Sequence, residues 1–253
     1  MRTSVFFVCA VLAALAVVPG SPRATSSTPV LVELFTSEGC SDCPPADVLL
    51  QKLIDAPPAG AEVIGLGQHV DYWDRLGWKD RFSSAALTDR QRVYADRFHN
   101  ESIYTPQMVV DGRAEFVGSD AASARNAIER AVAASHGVVR IGFDAAPPNH
   151  VGVSVAVQNL APDAGDRADV LLAVTEDKLR SDVTRGENHG RTLTHAAVVR
   201  YLATAGEAVN GAALRGDIPL STDWRRENLK IVAFVQARRG RAILASAAAP
   251  LPR

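Results

Sequence analysis

The stretch Val30 to Asp47, VLVELFTSEGCSDCPPAD, decides how the rest of the chain is read. Val30 to Phe35 is a short apolar run, the pattern of a buried strand. Pro44 opens a segment to Ala56 with Ala46, Leu49, Leu50 and Leu53 at helical spacing, and Pro57-Pro58 and Gly60 end it. Cys40-Ser41-Asp42-Cys43 stands between strand and helix. That position brings the Cys40 sulfur to a helix N-terminus, where free N–H groups and the dipole favour a thiolate. Cys40 is then the nucleophile, and Cys43, one turn inside, the resolving thiol; Pro44 is tolerated in a first turn. The same residues also fit an inert structural bridge. No metal is expected, because one CxxC with scattered histidines is a weak ligand set.

Outward from this motif, strand and helix alternate up to about residue 136. Glu62 to Leu66 reads as a second buried strand, followed by a polar and aromatic stretch from His69 to Phe82. Ser83 or Ser84 caps a helix carrying Leu87, Tyr94 and Phe98 on one stripe. Gln107 to Val110 and Ala114 to Val117 flank Asp111-Gly112, a strong hairpin signal. Ser119 or Asp120 opens an Ala-rich helix that ends near Gly137. From Val138 the period moves towards two: Val139, Ile141 and Phe143 alternate, as do Val151, Val153, Val155 and Val157. Val170 to Val174, Leu229 to Val235 and Ala242 to Leu244 read as further strands, and Ala196 to Ala205 is ambiguous. The pattern predicts an α/β unit over 29–136, with a helical insert at 68–100, and an all-β antiparallel sandwich over 138–250.

The 253 residues are 47% hydrophobic and 22% charged, a globular balance long enough to bury a real core. With 27 Lys and Arg against 28 Asp and Glu, the formal charge of −1 gives a polyanion such as nucleic acid nothing to hold in bulk. Arg2, an uncharged run from Val5 to Val18 and the break at Pro19 to Pro22 read as a secretory leader, since a spanning helix needs roughly 20 apolar residues. The signal peptide is placed at 1–20, with a cut as late as Ala24, which predicts a secreted or periplasmic protein with no stable membrane anchor. Cys9 would leave with the leader, so only Cys40 and Cys43 meet the oxidising compartment.

The order strand, CxxC-helix, strand, helix, Thr-Pro, hairpin, helix resembles a thioredoxin fold. The wording of Glu33 to Asp47, His69 to Asp80, Tyr104-Thr105-Pro106-Gln107 and Gly186-Glu187-Asn188 is similar to an uncharacterised secreted family, domain of unknown function 1223. The resemblance implies that Pro106 is cis and faces the dithiol, and that Thr105 lines the site. Without it, Thr105-Pro106 reads as a trans turn. The chain departs from ordinary thioredoxins at Gly39, where an aromatic residue usually precedes the first cysteine. It departs again at Asp42, whose charge opposes the helix dipole, and in the long stretch from Cys43 to Pro106.

Further residues carry two readings each. By the same resemblance, Glu33 is a proton acceptor for Cys43, or else a satisfied carboxylate. His69 and Asp71 follow the second strand, where open α/β sheets carry function, and would tune the dithiol. Trp73 and Trp78 form a wall for a peptide, or pack the insert against the body. The loop with Gly186, Glu187 and Asn188 covers the dithiol, or is a solvated hairpin. Together these predict an exported thiol–disulfide oxidoreductase acting on protein or small thiols without a cofactor. The alternative is a redox-inert binding or assembly module on the same fold with a structural disulfide.

Overall fold

A computed structural model describes residues 27–161 and 165–252. The leader expected at 1–20 lies outside the described residues. The chain opens with a parallel β-α-β unit, β1 (Thr28–Thr36), α1 (Pro44–Asp55) and β2 (Ala61–His69). It continues through α2 (Ala85–Phe98), the hairpin β3 (Gln107–Val110) and β4 (Ala114–Val117), and α3 (Ala121–Ala133). This is a thioredoxin-like topology. β1 is apolar on both faces because both are covered. Val30, Val32 and Leu34 pack with Ala46, Leu50 and Ile128 of α1 and α3, while Leu31 and Phe35 face Leu87 and Tyr94 of α2.

Local signals set the element ends. The Ser84 hydroxyl accepts from Ala86 N–H at the start of α2, and the Asp120 carboxylate accepts from Ala122 and Ser123 N–H at the start of α3. The hairpin turns on Asp111 and Gly112, both at positive φ (47° and 61°), as a type I′ turn requires. A side chain at Gly112 would collide with the Arg241 carbonyl.

Residues from 138 onward are mostly β: β5 (Val138–Asp144), β6 (His150–Gln158), β7 (Ala168–Glu176), β8 (Leu179–Asp182) and β9 (Thr192–His195). β10 (Val198–Glu207), β11 (Ala213–Pro219), β12 (Leu229–Ala237) and β13 (Ile243–Pro250) complete them. The ambiguous segment Ala196 to Ala205 is therefore largely strand, in β10, and β8, β9 and β11 carried no clear sequence signal. One eight-stranded sheet runs in the order β13-β12-β7-β10-β2-β1-β3-β4, across the change of pattern at 136–138. Its junction is narrow. β10 meets β2 through the single pair Val198 and Gly67, with Gly67 N–H donating to the Ala197 carbonyl at 2.7 Å.

A three-stranded sheet, β11-β6-β5, lies against the other end. Val151, Val153, Val155 and Val157 of β6 point at Val170, Leu172 and Val174 of β7 and at Ile231, Ala233 and Val235 of β12. The reverse face of β12, with Val232 and Phe234, packs on Leu31, Ile64 and Leu66 of the first unit. That accounts for two kinds of strand. β6, covered on one side, alternates. β12, buried on both, reads as a continuous apolar run.

Candidate active site

Cys40 and Cys43 are joined as a disulfide with Cα atoms 5.4 Å apart. Cys43 is the N-cap of α1 rather than a residue one turn inside it, and Cys40 precedes it in a turn held by Cys40 N–H to the Ser37 carbonyl at 3.2 Å. Pro44 follows as the first helical residue, where a missing N–H costs nothing. Both cysteines are buried, at 1% and 0% exposure, so access to the sulfurs is decided by what covers them.

The Thr105–Pro106 bond is cis. β3 begins one residue later, and its first residue, Gln107, pairs with Phe35 near the end of β1. The register therefore brings the proline turn to the end of the sheet from which the cysteine turn springs. Trp73 links the two, lying against Gly39 while its indole N–H donates to Thr105 Oγ1 at 2.8 Å.

The cover is the segment between β8 and β9. Asn188 is wholly buried, and its Nδ2 donates to the carbonyls of both Glu38 and Cys40 at 2.9 Å. The Glu187 carboxylate accepts from Ser41 N–H at 3.2 Å. Gly186, at φ 73°, lets the backbone turn against Trp78, where an added Cβ would stand 3.1 Å from Trp78 Cβ. Gly186, Glu187 and Asn188 thus form a strap across the cysteine turn.

Under the strap sits a group of ionisable side chains. His69 Nδ1 is 2.6 Å from Asp80 Oδ2, and that oxygen also accepts from Glu38 N–H at 2.9 Å. Glu38 Oε2 accepts from Trp78 Nε1 at 2.7 Å, while Glu38 Oε1 is 3.3 Å from His195 Nε2 without a well-aligned hydrogen bond. The His69 and His195 rings stack edge to face at 4.9 Å. Asp47, one turn along α1 from Cys43, completes the group.

Their electrostatics diverge. Burial pushes the Asp47 carboxyl up to about 6, against the pull of His195, His69 and the Thr36 hydroxyl. Burial would also raise Asp80, but His69 and the Glu38 and Phe82 N–H groups hold it below its usual range. Burial opposes a charge on His69, yet Asp80 wins and raises it. Glu38 is likewise held low, despite burial, by His195, Ser181 and Trp78. Among the described residues, no three of these groups converge on a point that would hold a metal ion.

The structure brings Cys40, Cys43, Thr105, Pro106, Trp73, His69 and the 186–188 strap to one end of the sheet. Glu33 and Asp71 are placed elsewhere. Glu33 points to the α2 face, away from α1, and is bound by Arg90 Nε at 2.6 Å, Arg90 Nη2 at 2.9 Å, Gln68 Nε2 and Tyr94 Oη. It therefore has no position from which to serve Cys43. Strand alternation is the cause, because Val32 and Leu34 on either side take the α1 face. Asp71 accepts from Thr88 Oγ1 at 2.6 Å and holds the first turn of α2 instead of facing His69. Sequence reasoning missed Glu38, Asp47, Asp80 and His195 as a group. Only Asp47 had a local signal, four residues after Cys43 on the same helix.

Comparisons with known proteins agree with the fold. The profile of a family described as protein of unknown function (DUF1223) matches residues 31–236. A crystal structure of a protein from Agrobacterium tumefaciens superposes with a TM-score of 0.66 at 28% identity, covering 90% of this chain and 96% of that one. HBP35 of Porphyromonas gingivalis superposes with a TM-score of 0.65 at 14% identity, covering 89% and 76%, a likeness of fold alone. No curated protein matches the chain.

Proposed function

The chain belongs to the family of unknown function DUF1223, and from that premise we propose that it is an exported thiol–disulfide oxidoreductase. The observation that carries the reading is the disulfide at the head of α1, beside a cis-proline turn and above a carboxyl poised near 6. A partner thiolate attacks Cys40 Sγ, the Cys40–Cys43 bond breaks, and Cys43 leaves as a thiolate. Asp47, protonated for part of the population near pH 6, is the proton donor closest along the helix. In the second step a second thiolate of the partner attacks the partner sulfur of the mixed disulfide, Cys40 leaves as a thiolate, the partner is left with a disulfide, and two electrons have passed from partner to protein. Neither step calls for a cofactor. Export rests on the leader pattern of Arg2 and Val5 to Val18, and protein from a secreting host that keeps Met1 to Gly20 by intact mass would end that part of the proposal.

The burial of both sulfurs favours a second reading, a structural bridge in a binding module. The reduction potential separates the two. Equilibration with glutathione buffers should place an exchanging bridge above about −300 mV, and a value below that assigns it to structure. A Cys43→Ala chain that captures thiol partners through Cys40 would support the first reading.

A further inference from the structure

A second site lies on the far side of Phe82 from the ionisable group. Phe82 is buried, and its ring meets His69 at 5.3 Å and His195 at 5.6 Å. Its outer face floors a cleft of about 700 Å³. Arg81, Lys178, Arg180, Arg200 and Arg225 line that cleft, with Glu176 and Asp223 as its only acids, an excess of three positive charges in a chain whose formal charge is −1. A second cleft of about 290 Å³ shares Arg81, Phe82 and Arg200 and continues over Leu87, Tyr201 and Trp224.

Two of the arginines, the exposed Arg81 and the part-buried Arg200, are held by contacts with rings. Arg81 stacks on Phe82 at 4.7 Å and donates from Nη2 to the Arg180 carbonyl at 2.7 Å. Arg200 lies between two rings, 5.1 Å from Phe82 and 5.4 Å from Trp224, with its side chain only 18% exposed. Of the two acids, Glu176 is already engaged, accepting from Arg225 N–H at 2.9 Å and standing 3.5 Å from Arg200 Nε. Among the described residues no carboxylate pairs with Arg81, Lys178 or Arg225, while Arg180 is shared with Asp182. Burial, and with it the charge of Arg81, lowers the Arg200 guanidinium against the pull of Glu176 and Asp223. Two guanidiniums over one ring, only one of them paired with a carboxylate, leave an excess of positive charge suited to an anion.

We propose that this cleft binds a small organic polyanion, with its carboxylate or phosphate groups between Arg81 and Arg200 and its less polar part over Tyr201 and Trp224. Neither cysteine lines the cleft, so the proposal is tested apart from the redox reading.

Calorimetric titration of the full oxidised chain with citrate, and separately with inorganic pyrophosphate, tests it. Saturable one-to-one binding is expected for at least one probe. It should weaken at least tenfold in Arg200→Gln and in Arg81→Gln, less in Arg200→Lys, and not in Arg113→Gln on the distant β3–β4 turn. Affinity should fall steeply as salt is raised. The tighter probe tells carboxylate from phosphate recognition. Should Arg200→Gln fail to fold, Arg225→Gln, at an exposed position, takes its place with the same expected loss. Heat that does not saturate, or binding that Arg200→Gln and Arg225→Gln leave unchanged, would overturn the proposal.

Discussion

Glu33 and Glu38 belong to the same strand and turn, and both are buried to 1% or less, but the fold surrounds them in opposite ways. Glu33 receives a two-pronged guanidinium from Arg90, a phenol from Tyr94 and an amide from Gln68. Gln236 closes the ring, donating to Tyr94 Oη at 2.9 Å and accepting from Arg90 Nη1 at 3.0 Å. Among the described residues no guanidinium pairs with Glu38. There are two further carboxyls, Asp47 and Asp80, and two imidazoles, with His195 left without a well-aligned partner on either nitrogen. The first arrangement spends its polarity on holding α2 and β12 to the sheet. The second holds Glu38 and Asp80 low and Asp47 high, and it lies beside the disulfide. How a buried carboxylate titrates thus follows from the charge set against it, not from its depth.

The severest way to break this contrast is to cut the chain after residue 137. That removes Gln236 from one group and His195 and Asn188 from the other, and it uncovers Leu31, Ile64 and Leu66 where β12 had packed. The expected product is insoluble or aggregated. A soluble, cooperatively melting fragment by light scattering and calorimetry would show the halves to be independent.

Next in size is Arg90→Met. It strands the Glu33 charge in the interior and should cost about 3–5 kcal/mol in denaturant unfolding. Adding Glu33→Leu should restore most of the loss, which would establish the pair as scaffold. The disulfide's reduction potential should stay unchanged in the double variant.

Asp47→Asn acts on the other group with the opposite sign. The Asp47 carboxyl is raised in the folded chain from 3.8 to about 6, so the folded state holds the proton longer and stability falls as pH rises through that window. Above it the native chain carries a penalty of about 2–3 kcal/mol. Asp47→Asn should therefore be more stable than the parent at pH 7 by up to that amount, and equal to it below about pH 4. The same variant should slow reduction of the disulfide. Equal stability at both pH values would place Asp47 outside the group.

The smallest expected effect is Asn188→Ala. Losing its three side-chain hydrogen bonds, to the Glu38 and Cys40 carbonyls and from Arg191, should cost about 1–3 kcal/mol. Reduction of the disulfide by a small phosphine should quicken, since the strap is loosened, and a rate that does not change would mean that Asn188 is not what shields the sulfurs.

The elements that fix the fold were legible where the signal was local. The apolar run at Val30 to Phe35, the cap and stripe of α2, Asp111-Gly112 and the alternating valines of β6 each write their structure into a few neighbouring residues. The junction of β10 with β2 has no such signature. It rests on one residue pair, and a segment as apolar and alanine-bearing as Ala196 to Ala205 fits a helix as well as a strand. The site was legible in its sulfurs, in its proline turn only through the family resemblance, and in its strap only as one of two readings. Of its charged groups only His69 was legible, because Glu38, Asp47, Asp80 and His195 share no spacing in the chain and meet only through tertiary packing. Glu33 failed for a different reason. Its position along the strand suited a proton acceptor, but the side of the sheet is set by its neighbours.

The strap also imposes an order in time. Asn188 lies 148 residues after the carbonyl of Cys40 that it binds. At a synthesis rate of about 5–20 residues per second, the cysteine turn is made roughly 7–30 s before its cover. For that interval a nascent chain offers both thiols to any oxidant it meets. Afterwards the strap stands between the bond and solvent, so a partner reaches the disulfide of the finished molecule less readily than the thiols of the nascent one.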